Sequence, residues 1–178
     1  MSGEHVLVCV AWPYANGPLH LGHVAGCYLP PDIQARFERS KGNKVLMVSG
    51  SDEHGTPITV AAETQGVNPQ DIVDKYHAIN SKALLDLGCS WEPKIDPRGS
   101  DYGGSLFNRT SDPEHHEIVS ENFVSLLNAG LFERKVMQQY YEIREDGGRF
   151  LPDRYVEGDC PNCGATDARG DQCDECGV

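Results

Sequence analysis

The 178-residue chain carries 27 acidic against 15 basic side chains, a formal charge of −12, and is 39% hydrophobic. That balance supports a packed core and excludes global disorder. The acidity argues against electrostatic wrapping of a phosphate backbone, and no apolar run approaches the ~20 residues of a membrane span. The N-terminal MSGEHVLVCVAWPYANG has no basic n-region and no small-residue cleavage site, so a cytoplasmic location is the default. The acidity fits either a plain solubility surface or adaptation to high salt. The length suits one ordinary domain with a small satellite.

Residues 5–11, HVLVCVA, are apolar and β-branched and read as a buried strand. A helix is expected from about Gly22 to Ser40, kinked or split by Pro30-Pro31. KVLMVSG, residues 44–50, reads as a second buried strand, and the order strand, helix, strand argues for a βαβ unit in a parallel sheet. A helix from Thr56 to Gln65 should end at Gly66. Asn68-Pro69 is an N-cap followed by Pro at the first helical position, opening a helix to about Leu87 that Gly88 ends. Residues 90–112 are rich in Pro, Gly and Ser and read as mostly irregular. Asp112-Pro113 repeats the cap signal for a helix to Asn128, closed by Gly130. LFERKVMQQYYEI alternates as a strand would, and from Gly158 onward the chain is rich in Cys and Gly. The fold class is therefore α/β.

The connection after the first strand, AWPYANGPLHLGH, holds more Pro, Gly and His than a turn requires. In open parallel sheets ligands bind beyond the carboxyl ends of the strands, where this segment lies. Gly17 permits a tight turn, and Gly22 would let a planar ring or a phosphate approach the backbone. A helix beginning there offers unpaired N–H groups to an anion. His20 and His23, three residues apart across the helix start, can point into one space and donate to a phosphate oxygen. Two exposed loop histidines would give the same pattern. A zinc site through this pair would need two further ligands that no local residue supplies.

Cys160-x-x-Cys163 and Cys173-x-x-Cys176 form two knuckles, with Gly164 and Gly177 supplying the turns that aim backbone N–H groups at sulfur. Four thiolates suit tetrahedral zinc in a closed, structural site; redox-active or unliganded thiols are the alternative. Cys9, Cys27 and Cys89 read as core or surface thiols. His5, His77, His115 and His116 read as surface or helix-face residues.

His20-Leu21-Gly22-His23 after a first strand resembles the signature of class I aminoacyl-tRNA synthetases and related nucleotidyltransferases. Pro13-Tyr14-Ala15-Asn16-Gly17 is similar to the methionine and isoleucine members. GSDEHGTPI, EHHEIV and FLPDRYVEGDCPNC resemble the methionyl enzymes, and VAGCYLP has an archaeal likeness. The resemblance implies the first half of a Rossmann-like nucleotide-binding fold over residues 1–112. It places residues 113–178 in a connective insertion with a zinc knuckle. It implies activation of L-methionine by ATP, with Mg²⁺, to methionyl-adenylate, then transfer to the methionine tRNA. His20 and His23 match the catalytic histidines, while Gly22, Asn16 and Gly17 match ATP-binding positions. Ala11, Trp12, Tyr14 and Asp52 match the methionine site, with Trp12 departing from the usual bacterial leucine. Read without the resemblance, Asp52 would be a helix or turn cap. Some members carry a second knuckle pair, but QQYYEIREDGGRF has no cysteine, so one structural zinc is expected.

The lysine-bearing loop and the anticodon-binding region of such enzymes have no counterpart in these residues. The chain is therefore expected to be an incomplete N-terminal portion, inactive alone. Alternatives are another His-x-Gly-His nucleotidyltransferase or a non-catalytic zinc-ribbon module. The acidic, aromatic-poor EGDCPNCGATDARGDQCDECGV argues against nucleic-acid binding by such a module.

Overall fold

A computed structural model describes residues 3–91, 107–144, 147–152, 155–170 and 172–177. The chain divides into two compact units, Met1–Ser125 and Leu126–Val178.

In the first unit, β1 (His5–Cys9) pairs in parallel with β2 (Lys44–Ser51), and β2 pairs in parallel with β3 (Phe107–Arg109), in the order β1-β2-β3. The register runs from His5 opposite Lys44 to Cys9 opposite Val48, and from Ser49 opposite Phe107 to Ser51 opposite Arg109. This is the α/β, Rossmann-like portion expected. Two details differ. β1 is not buried on both faces: its residues alternate between exposed and half-buried, and Leu7 is 60% exposed, because among the described residues it is flanked by a strand on one side only. β3 lies inside the stretch read as irregular; three residues, FNR, carry too little alternation to announce a strand. The remainder of that stretch, residues 92–106, lies outside the described residues.

The crossover from β1 to β2 begins with α1 (Leu21–His23), passes through a π-helical segment over Val24–Tyr28, and continues as α2 (Leu29–Ser40). The expected interruption appears just ahead of Pro30-Pro31, as a π-helical segment rather than a gap. A proline lacks an N–H and its ring strikes the carbonyl four residues back. The π winding ahead of the prolines shifts the bonding outward, with the Leu29 N–H donating to the Val24 carbonyl. Asp32, buried on α2, accepts from the backbone N–H of Ser90 at 2.6 Å and from Arg36 at 2.7 Å, tying the helix to the 88–90 turn. α3 (Thr56–Gln65) stops at Gly66, whose φ of 66° is the left-handed cap. α4 (Pro69–Asp86) opens on a reciprocal capping box between Asn68 and Asp71. α5 (Pro113–Asn128) closes at Gly130, where φ is 72°.

Two apolar clusters hold this unit. Tyr28, Val45, Met47, Leu84, Trp91 and Phe107 pack between sheet and helices, and Ala15 joins Ile58, Ala62, Ile72 and Val73 between the loop after β1, α3 and α4.

In the second unit, β4 (Tyr141–Glu142) pairs antiparallel with β5 (Arg149–Phe150), and β6 (Glu157–Gly158) with β7 (Ala168–Arg169). The strand expected over residues 131–143 shrinks to Tyr141–Glu142. The alternation is present, but residues 131–140 are exposed and lie outside the strands of the described residues. No helix among the described residues is long and apolar enough to cross a membrane.

Candidate active site and metal centre

The loop after β1 keeps pace with β2 beyond the end of the strand. Val10 N–H donates to Val48 O at 2.9 Å, Asp52 N–H to Pro13 O at 2.8 Å, and Ala15 N–H to Asp52 O at 2.9 Å. This parallel bridge sets Tyr14 beside Asp52 at the carboxyl end of the sheet. Ala15, fully buried, anchors the loop from below. The Ala11 carbonyl accepts from Ser49 Oγ at 3.0 Å. The Trp12 ring lies over Gly50, where a Cβ would come within 2.4 Å of both that ring and the Asn108 carbonyl, so no side chain fits at Gly50. His115 borders the same indole, with ring centroids 6.0 Å apart. Ala11, Trp12, Tyr14 and Asp52 are thus neighbours along two adjacent strand ends. One Asp52 oxygen accepts from the His54 N–H at 3.4 Å, the turn-capping role expected of it from sequence alone.

His20 is the N-cap of α1. Its Nδ1 accepts from the N–H of Gly22 at 3.1 Å and of His23 at 3.3 Å, while His23 Nδ1 accepts from the His20 N–H at 3.3 Å. This is a capping box made of two histidines. The rings stack with centroids 3.7 Å apart and planes inclined 24°. With each Nδ1 used as an acceptor, the proton of each neutral ring sits on Nε2 and is free to be donated. Burial and the adjacent His20 hold the His23 pKa below the ordinary histidine value, which keeps that ring neutral near pH 7. Gly22 has a local reason to be glycine: a Cβ there would stand 3.0 Å from His20 Cε1.

A buried ionic network lies at the root of the Asp52 turn. Glu53, 5% exposed, accepts from Arg109 Nε at 2.8 and 2.9 Å and from the Ser111 hydroxyl, and Arg109 reaches on to Asp74 at 2.5 Å. Ser51 Oγ lies 2.8 Å from His77 Nδ1, and Glu53 Oε1 lies 3.6 Å from the same nitrogen. Of the two expectations for His77, surface or helix face, the second holds: it is a half-buried residue of α4. Burial, then the Arg109 charge, lower its pKa against the opposing pull of Glu53, Asp112 and Asp74. The folded ring stays neutral where an unfolded one, with a pKa near ~6.5, takes up a proton. Stability is thus complete above that value and declines as pH falls below it, since the unfolded state then binds more protons. Urea titrations of the 178-residue chain between pH 7.5 and 5 should show this decline, and H77Q should flatten part of it. An unchanged slope in H77Q contradicts the assignment.

The four knuckle cysteines converge. Their sulfurs all lie within 4.8 Å of one another, with Cys160 and Cys176 at 3.8 Å and Cys163 and Cys173 at 3.6 Å. Tetrahedral zinc with bonds of about 2.3 Å separates its sulfurs by about 3.8 Å, so the donors fit the ion, and a disulfide at ~2.05 Å does not describe them. Gly164 and Gly177, with φ of 72° and 73°, donate back to the carbonyls of Cys160 and Cys173 at 2.8 Å, making the two knuckles alike. Backbone N–H groups of Cys163 and Asn162 aimed at the Cys160 sulfur lower its pKa.

A family model described as class I tRNA synthetases (M) matches residues 6–178. The chain belongs to this family of class I tRNA synthetases. A methionine–tRNA ligase of Roseiflexus sp. is 50% identical over 98% of the chain, and one of Picrophilus torridus 49% identical over 98%. Nearly equal identity to both favours no lineage for the VAGCYLP stretch. A structure of Mycobacterium tuberculosis methionyl-tRNA synthetase in complex with methionyl-adenylate matches 73% of the chain at 28% identity with a TM-score of 0.59. The chain spans about a quarter of the length of the curated relatives it matches, 27% and 23% of these two.

For a portion of a class I synthetase, the first unit assembles much of what the sequence singled out. His20, Gly22 and His23 form one cap; Ala11, Trp12, Tyr14 and Asp52 line adjoining strand ends. Asn16 is exposed and Gly17 half-buried within the same loop. Sequence reading missed Asn80, Glu53 and Arg109, which shape these turns from a distance. Only a polar residue inside the apolar rhythm of α4, buried between Val73 and Leu84, hinted at Asn80.

Proposed function

We propose that the chain carries part of the catalytic site of a methionine–tRNA ligase. Methionine is activated by ATP to methionyl-adenylate and then passed to its tRNA. A methionine carboxylate oxygen bonds the α-phosphorus, the bond from that phosphorus to the β-bridging oxygen breaks, and pyrophosphate leaves. A tRNA hydroxyl then takes the methionyl group and AMP departs. The first step needs no covalent enzyme intermediate, so positioning and electrostatics carry it.

In this reading His20 and His23 donate through Nε2 to the α-phosphate oxygens, whose charge is stabilised as the bond forms. Gly22, Asn16 and Gly17 contact ATP, which enters with Mg²⁺. Asp52 pairs with the methionine ammonium, as a partly buried cation requires. Ala11, Trp12 and Tyr14 line the side-chain site. Residues 113–178 form a connective insertion stiffened by one structural zinc, and the protein works in the cytoplasm. The observation that carries the reading is the histidine capping box, which leaves both Nε2–H groups free at the carboxyl end of the sheet in a chain of this family.

Amino-acid-dependent exchange of pyrophosphate into ATP by the native protein tests it. Methionine should support exchange and leucine or isoleucine should not. Exchange driven by another amino acid, or by none, defeats the proposal.

A further inference from the structure

Asn80 sits on α4 with 1% of its surface exposed, more than sixty residues along the chain from the loop it touches. Its Oδ1 accepts from the Leu19 N–H at 3.1 Å, and its Nδ2 donates to the Gly17 carbonyl at 3.1 Å. The two bonds straddle Pro18, which has no N–H of its own. One side-chain amide thus supplies both a donor and an acceptor, as a neighbouring strand would, to backbone that has none there. Leu19 is the residue immediately before the His20 cap, and it packs against the first apolar cluster. Ala15 is the nearest buried anchor upstream, so between Ala15 and the cap the loop path is held by the two Asn80 bonds and by the packing of Leu19.

We propose that Asn80 is a positioning residue. It fixes the approach of the loop to His20 and so holds the stacked His20–His23 pair in the arrangement with both Nδ1 atoms engaged and both Nε2–H groups outward. The cap depends on extended backbone at His20, with φ −99° and ψ 170°, directly after the clamped Leu19. Release of Gly17 and Leu19 leaves a glycine free to rotate and two half-buried backbone groups unpaired, which moves the cap before it unfolds the helix. The inference rests on the proposed function only for its kinetic consequence, and its structural part stands apart from it.

Two variants test it. N80A removes both bonds. N80D keeps the shape and the acceptor but sets a carboxylate oxygen against the Gly17 carbonyl. Nitrogen-15 spectra of the histidine rings in the 178-residue chain are the first readout. Wild type should show protonated Nε2 and bare Nδ1 at His20 and His23. Both variants should shift these two rings toward averaged tautomers, at a temperature where the chain remains folded, and leave His5 as it was.

Methionine-dependent pyrophosphate exchange by the native protein is the second readout. In either variant kcat should fall by on the order of tenfold or more, with the KM for methionine within about twofold of wild type. Should N80A fail to fold, N80D, which keeps the bond to Leu19, carries the test by the same ring spectra near pH 7.5 and by the split between kcat and KM. Unaltered ring tautomers in a folded variant, or a loss that falls wholly on KM, overturns the proposal and leaves Asn80 as a packing contact. Absence of methionine-dependent exchange in wild type would instead defeat the proposed function, with the ring spectra still deciding the role of Asn80.

Discussion

Stripping zinc from the four cysteines, or the substitution C173S, is expected to unfold the stretch around residues 157–177 while the parallel-sheet unit keeps its structure. The physical reason is the near absence of other support. Among the described residues of the second unit, only Cys160, Ala168 and Cys173 are buried and apolar, and two of the three are themselves donors. The strands nearby are two residues each. A segment this poor in core cannot offset its conformational entropy. Zinc bound to the four thiolates would supply the difference, on the order of 10 kcal/mol in comparable small sites at neutral pH. Elemental analysis should give one zinc per chain, and chelation should collapse the dispersed amide signals of residues 157–177. Retained dispersion without metal, or disulfides found by mass spectrometry, would refute a structural zinc.

The second large effect concerns catalysis. H20A and H23A should each lower kcat for methionine-dependent exchange by about a hundredfold to a thousandfold, the range expected for one preorganised donor to a developing oxyanion. The KM for methionine should change little, because the lost bond matters most in the transition state. His20 also caps a helix, so a stability loss of about 1 kcal/mol should accompany H20A. H20N separates the two roles. Asparagine caps well but cannot place a donor where Nε2 stands, so stability should recover while kcat stays low. Equal recovery of both would mean that His20 serves only the helix.

Much of the first unit is legible because its punctuation is local. Gly66, Gly88 and Gly130 take positive φ where the sequence asks for helix ends, and the Asn68-Pro69 signal opens α4 with a complete capping box. The cysteine cluster is legible for the same reason: each knuckle is built within five residues of sequence. Pro30-Pro31 does disturb the helix, but a π segment absorbs what a kink is expected to. Elements that depend on distant partners are the ones a local reading misses. β3 exists because Phe107–Arg109 meets β2, and of the 131–143 alternation Tyr141–Glu142 is the part that meets a strand. His77 looks like a surface histidine until Ser51 and Glu53 close around it, and Asn80 has no visible purpose until Gly17 and Leu19 come to it.

A crystal structure of the native protein with a non-hydrolysable methionyl-adenylate analogue tests the central claim most directly. Nε2 of both His20 and His23 should lie within about 3.2 Å of the atoms replacing the α-phosphate oxygens, with the methionine ammonium on Asp52. An analogue bound with its phosphate mimic remote from both rings, or with the rings turned so that Nδ1 faces it, would contradict the account.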